Sequence, residues 1–174
     1  MKNLGHILCF VLFIACGEAP QAEEENAQVE ETTSTTIATF DLRSVGVALE
    51  GKVPSWMPEG SFPVVTKDSN SGIVSITYSP ELIAKLVPDN RSLSEAKLEI
   101  QDEAVFDVAI LEEGSDLLMF EQKLPTGESV GVQIVRVMDV NGQGYHVYSD
   151  ENVELTIYEA RQLAECVNSL LVIQ

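Results

Sequence analysis

Positive charge is scarce in this chain. Its 174 residues include 10 Lys and Arg against 28 Asp and Glu, a formal net charge of −18. Nucleic acid and anionic membrane surfaces attract clustered Lys and Arg, so neither suits the chain as a partner. Cysteine is scarce too, at three. Cys9 and Cys16 lie near the start, which leaves Cys166 alone in the rest of the chain. That remainder has no disulfide framework and no metal site built on paired thiolates. His146 is the only histidine beyond the first few residues. No paired acid–base constellation is visible, and no cofactor motif. The apolar run near the start falls short of the roughly 20 residues a membrane-spanning helix needs.

That run, Ile7 to Cys16, organises the rest of the chain. Lys2 gives a basic start, Ile7 to Ala15 an apolar stretch, and the pair reads as a removable secretory signal. Ala15 stands directly before Cys16, and Gly17-Glu18 comes next. The Phe13-Ile14-Ala15-Cys16 ending resembles the lipobox of bacterial lipoproteins, with Phe13 where Leu is usual. Cys9 fits less well, because bulky Leu8 precedes it. The resemblance implies cleavage before Cys16, which becomes the first mature residue and carries acyl chains (palmitate-type) on its sulfur and amino group. Each buried CH₂ contributes about 0.8 kcal/mol, so two or three chains make a durable anchor where one binds reversibly. An ordinary signal cut near Ala15, leaving a soluble periplasmic protein, is the other reading. Removal of residues 1–15 takes away Lys2 and no acid, moving the net charge from −18 to −19.

Residues 16–37 read as a tether. Gly17 to Thr36 holds Glu18, Glu23, Glu24, Glu25, Glu30 and Glu31, no basic residue, and a Thr32-Thr33-Ser34-Thr35-Thr36 run. Such a segment buries too little apolar surface to offset its ordering entropy, and its charges repel one another. Acids soon after the cysteine are similar to the surface-export signals of lipoproteins in Bacteroidetes-type bacteria. The implied location is the outer membrane, facing the periplasm or the outside.

Residues 38–174 suit one domain. The alternation of Val45, Val47 and Leu49 predicts a strand to Val53, closed by Pro54. Phe62 to Lys67 and Gly72 to Tyr78 predict a hairpin across Asp68-Ser69-Asn70-Ser71. Leu82 to Val87 reads as a short strand, with a short helix begun at Ser79-Pro80-Glu81 as the alternative. Ser92 and Glu95 form a capping box for a helix over 93–103 with a Leu93, Ala96, Ile100, Ala104 stripe. Phe106 to Ile110, Leu118 to Leu124, Val130 to Val140 and Gly144 to Ser149 predict a four-stranded meander, with turns at Gly114-Ser115, Pro125-Thr126-Gly127 and Asn141-Gly142. Thr156 and Glu159 form a second capping box. It opens a C-terminal helix striped by Ile157, Ala160, Leu163, Val167, Leu170 and Leu171.

The sum is an α+β fold: a mostly antiparallel sheet with an internal helix and a C-terminal helix packed on one face. The Asp41-Leu42 start, the meander and the closing helix resemble small envelope lipoproteins with a PsbP-like α/β sandwich. That resemblance is one of element order. It implies a binding or assembly module with no shared catalytic centre.

Two motifs compete with plain turns. Gly127-Glu128-Ser129-Val130-Gly131 matches the G-x-S-x-G nucleophile elbow and would make Ser129 a hydrolase nucleophile, but a strand comes after it where that chemistry needs a helix. Within the 139–150 hairpin, Asp139, Asn141, Gln143, Gly144 and Asp150 partly match a calcium loop, while a plain Asn-Gly hairpin explains the same residues. His146 shares a strand face with Tyr148 and reads as a packed residue. Cys166 falls at the border of the last apolar stripe. Trp56 sits in a loop, as a partner contact or folded onto the sheet. Arg136 interrupts the apolar face of the longest strand. It pairs with an acid such as Glu121, or the strand bulges there. The expectation is a lipid-anchored envelope protein with a non-catalytic domain that binds an envelope protein or small ligand.

Overall fold

The computed structural model describes residues 37–103 and 105–174. The signal, Cys16, residues 17–36 and Ala104 of the predicted stripe lie outside the described residues. The described part is mixed α/β, with every strand pairing antiparallel. Strands β1 (Thr39–Asp41), β2 (Leu49–Lys52) and β10 (Leu171–Val172) form a small sheet in the order β1-β2-β10. A seven-stranded sheet runs β3-β4-β5-β9-β8-β7-β6. Its members are β3 (Val64–Lys67), β4 (Val74–Thr77), β5 (Ile83–Pro88), β6 (Asp107–Glu113), β7 (Leu117–Lys123), β8 (Ser129–Val140) and β9 (Gln143–Ser149). Helix α1 (Leu93–Gln101) joins β5 to the far edge strand β6, and α2 (Ile157–Asn168) comes after β9.

Local chemistry accounts for most boundaries. Both helices begin at complete capping boxes, Ser92 with Glu95 and Thr156 with Glu159, so two orphan N–H groups are satisfied at each start. Asn141 (φ 56°) and Gly142 (φ 87°) turn the chain between β8 and β9, the positive-φ pair that a two-residue hairpin requires. The Asp68 carboxylate accepts from the backbone N–H of Asn70 and Ser71, closing the β3–β4 hairpin. The stretch predicted over Leu82 to Val87 is a strand, β5, from Ile83 to Pro88, and Ser79 Oγ accepts the Leu82 N–H in the turn before it.

Three expectations need correction. The strand predicted from Val45 begins only at Leu49. Asp41 binds both the backbone N–H and the guanidinium of Arg43 and starts a 3-10 turn over Arg43–Val45, which Gly46 closes at φ 79°. The C-terminal helix stops at Asn168, so Leu171 leaves the stripe and pairs with Glu50 in the small sheet, exposed. Cys166 is no border residue. It is buried among the core side chains, and burial pushes its thiol up to about 12.

Buried side chains fall into two clusters. The larger joins Val74, Ile76, Ala84, Leu86, Ile134 and Val147 of the large sheet to Leu49 and to Ala160, Leu163 and Val167 of α2. The smaller joins Leu118, Phe120 and Val135 to Leu93 and Ile100 of α1. Alternation along β8 separates them, since Ile134 and Val135 point to opposite faces. Arg136 shares the face of Ile134. Its Nε donates to Asp116 Oδ2 at 2.8 Å, and its Nη1 donates to the carbonyls of Val167 (2.6 Å) and Leu170 (3.4 Å) at the end of α2. Glu121 pairs with Lys123 instead, at 3.0 Å. The irregularity in β8 lies opposite Gln122 and Lys123, away from Arg136.

Gly144 has a steric role rather than a calcium-loop one. A Cβ there would stand 2.4 Å from the Asp89 carbonyl oxygen and 2.9 Å from Asn90 Cα, whereas one on Gly142 meets nothing within 4 Å. Gly144→Ala should therefore cost more than about 2 kcal/mol in denaturant unfolding, and Gly142→Ala about 1 kcal/mol for its positive φ alone. Equal costs would contradict the close approach.

Candidate functional site

Helix α1 places Leu93 and Ile100 against Leu118, Phe120 and Val135. Beside its C-terminal end lies an open trench of about 410 Å³, a volume suited to a small ligand. Its apolar floor includes Ile73, Val87, Ile100 and Phe120, and its polar lining includes Lys85, Glu103, Gln122, Gln133, Tyr148 and Glu151. The trench lies where two strands part. The β8–β9 ladder ends at Val135 opposite Tyr148. One residue on, the Ile134 N–H donates to Ser149 Oγ at 3.0 Å, and that hydroxyl donates to Gln133 Oε1. Beyond the split, the Val132 N–H reaches Leu155 O at 2.9 Å.

Each wall of the trench is held by a bond from inside the protein. Lys85 Nζ meets Asp150 Oδ1 at 2.8 Å. Partial burial pushes the Asp150 carboxyl up, but its bonds to Lys85 and Asn152 outweigh this and lower it overall. Gln122 Nε2 donates to Glu103 Oε2 at 3.2 Å. The Tyr148 hydroxyl, raised mainly by burial, lies 2.8 Å from His146 Nδ1. His146 Nε2 lies 2.8 Å from the Arg91 carbonyl oxygen. A carbonyl only accepts, so Nε2 carries a hydrogen, while Nδ1 faces the Tyr148 hydroxyl and, at 3.4 Å, Asp89 Oδ2. His146 is fully buried, with both nitrogens engaged. It is a strut between β9 and the start of α1, as its strand position suggested, and it presents no nitrogen to the surface.

The structure does not assemble the hydrolase site. Ser129 opens β8, exposed, and runs into a strand rather than a helix; it shares a cleft with Thr156 and Ile157 at the start of α2 and hydrogen-bonds the Glu121 carboxylate. His146 pairs with Val137, eight residues along the strand from Ser129, which is about 26 Å at the rise of an extended chain. The 139–150 hairpin does not gather its acids. Asp139 Oδ1 accepts from the Gly142 N–H at the tip, while Asp150 binds Lys85 at the far end. Asp150 lies six residues beyond Gly144, the partner of Asp139, or about 20 Å. Among the described residues no group of three or more His, Cys, Asp or Glu could hold a metal ion. Trp56 is 41% exposed and lines a shallower cleft with Ile37, Glu165 and Cys166.

Sequence reading missed the trench residues. Alternation marks Lys85 and Val87 as sharing a face, but where α1 stops over that face depends on contacts distant in sequence. Compared with known proteins, the chain matches no family model, no curated protein and no solved structure.

At the head of α1, Arg91 binds Asp89 and Glu99. The Arg91 hydrogen bond holds the Asp89 carboxyl down at about 2, below its ordinary 3.8. A depressed carboxyl stabilises the fold above its unfolded pKa, and the contribution fades as pH falls toward the folded value. Asp89→Asn should therefore lower the denaturant midpoint at pH 7 and flatten the loss of stability between about pH 4 and pH 2. An acid slope equal to the parent's would contradict the pairing. For the hairpin, millimolar calcium should leave the melting temperature unmoved, and a saturable rise would restore it as an ion site.

Proposed function

We propose that the chain is a lipid-anchored envelope protein whose 38–174 domain binds or supports another envelope component without catalysing a reaction. One observation carries the anchor: Ala15-Cys16 closes a short apolar run that begins behind a basic start. The acidic residues 17–36 then act as a repelling leash that keeps the domain off the lipid surface. The domain itself we read as a PsbP-like sandwich, with α2 packed across one face of the large sheet and α1 on the other. The two buried clusters, one with α2 side chains and one with α1 side chains, support that arrangement. The trench supports a binding role, being concave, apolar-floored and rimmed by a few oriented polar groups. The outer membrane is the proposed location.

Metabolic labelling with an acyl precursor tests the anchor. The protein should take up label, and Cys16→Ala should abolish it. Absence of label, or label that survives the substitution, would overturn the proposal.

A further inference from the structure

The trench is apolar below and acidic above. Ile73, Val87, Ile100 and Phe120 give it a floor for an uncharged body. Its one lining cation, Lys85, is already matched by Asp150 at 2.8 Å. The two lining carboxylates that remain are Glu103 and Glu151. Glu103 is oriented by the Gln122 amide and makes no ion pair with a described cation; Glu151 likewise makes none. The whole chain, at −18, adds a field of the same sign. An anionic ligand would meet uncompensated carboxylates there, and a neutral one would leave them unused.

We infer that the trench takes a small monocationic amine with an apolar body, its ammonium at Glu103 and Glu151 and its body on Val87, Ile100 and Phe120. The inference rests on the reading of the domain as a binding module, and not on the anchor. Lys85 stays with Asp150, the chain neighbour of Glu151, in the bound state, so its charge is already matched.

Three probes of matched shape test it: 4-phenylbutylamine, 4-phenylbutanol and 4-phenylbutyrate. Each is titrated into the isotope-labelled full chain and followed by amide correlation spectra. The amine should shift the amides of Val87, Ile100, Glu103, Phe120 and Glu151 saturably, in the millimolar range usual for a ligand of its size. The alcohol should bind more weakly, and the carboxylate more weakly still. The pair Glu103→Gln and Glu151→Gln, both at exposed positions, should weaken the amine about fivefold and leave the alcohol unchanged, as expected for two solvent-screened ion pairs. Raising the salt should weaken the amine alone. Equal or tighter binding of the carboxylate, no shift at the trench with the amine, or an unchanged amine affinity in the double variant would each overturn the inference. A pull-down that recovers an envelope partner through this domain, while no probe binds, would remove the amine and keep the binding-module reading.

Discussion

The guanidinium of Arg136 sits in a row of apolar side chains, between Ile134 and Met138 on one face of β8. A charge so placed is costly unless its donors are met. Here the Asp116 carboxylate meets one side, and the carbonyls of Val167 and Leu170 meet another. Both carbonyls lie where α2 ends, at the negative pole of its dipole, and Val167 O also accepts from the Leu170 N–H at 3.1 Å. One side chain thus joins the longest strand, the β6–β7 turn and the end of the last helix. The Val137 N–H adds a backbone bond to Asp116 O at 2.7 Å. From the same helix end, Ser169 Oγ donates to Cys166 O and accepts from the Lys52 N–H. That carries the connection into the small sheet, where Leu171 and Val172 pair with β2.

The opposite face depends on a second polar knot. The Asp89 N–H bonds to Gly144 O and the Gly144 N–H to Asn90 Oδ1, so the chain entering α1 is laced to the tip of the β8–β9 hairpin. His146 completes the lacing from beneath through the Arg91 carbonyl. These bonds fix where α1 starts, and its nine residues then fix where it stops. Ile100, near the end of that helix, and Glu103, just beyond it, line the trench.

Short-range signals in the sequence were sufficient for much of this. Both capping boxes, the Asn141-Gly142 turn and the four alternating runs of the meander are encoded within a few residues of one another, and the structure has them. What escaped sequence reading was set by distant partners. Arg136 finds Asp116 and Val167, which are 20 and 31 residues away, and no local pattern distinguishes either from Glu121. Leu171 looked like one more member of a helical stripe until Ser169 ended the helix and β2 offered an edge. Cys166 looked marginal by periodicity and is buried in the larger core cluster. Ser129 and the 139–150 acids matched motifs in one dimension, and the extended strands between their members pull those members apart.

The most direct test of this account is amide hydrogen exchange in Arg136→Met, which keeps the apolar volume and removes the donors. Protection at Ser169, Leu170 and Ile173, whose N–H groups bond to Glu165, Val167 and Ala48, should fall about tenfold or more, while Leu86 and Val147 in the sheet interior keep most of theirs. Protection at the end of α2 equal to the parent's would show that the helix is held without the guanidinium, and the account would be wrong at its foundation.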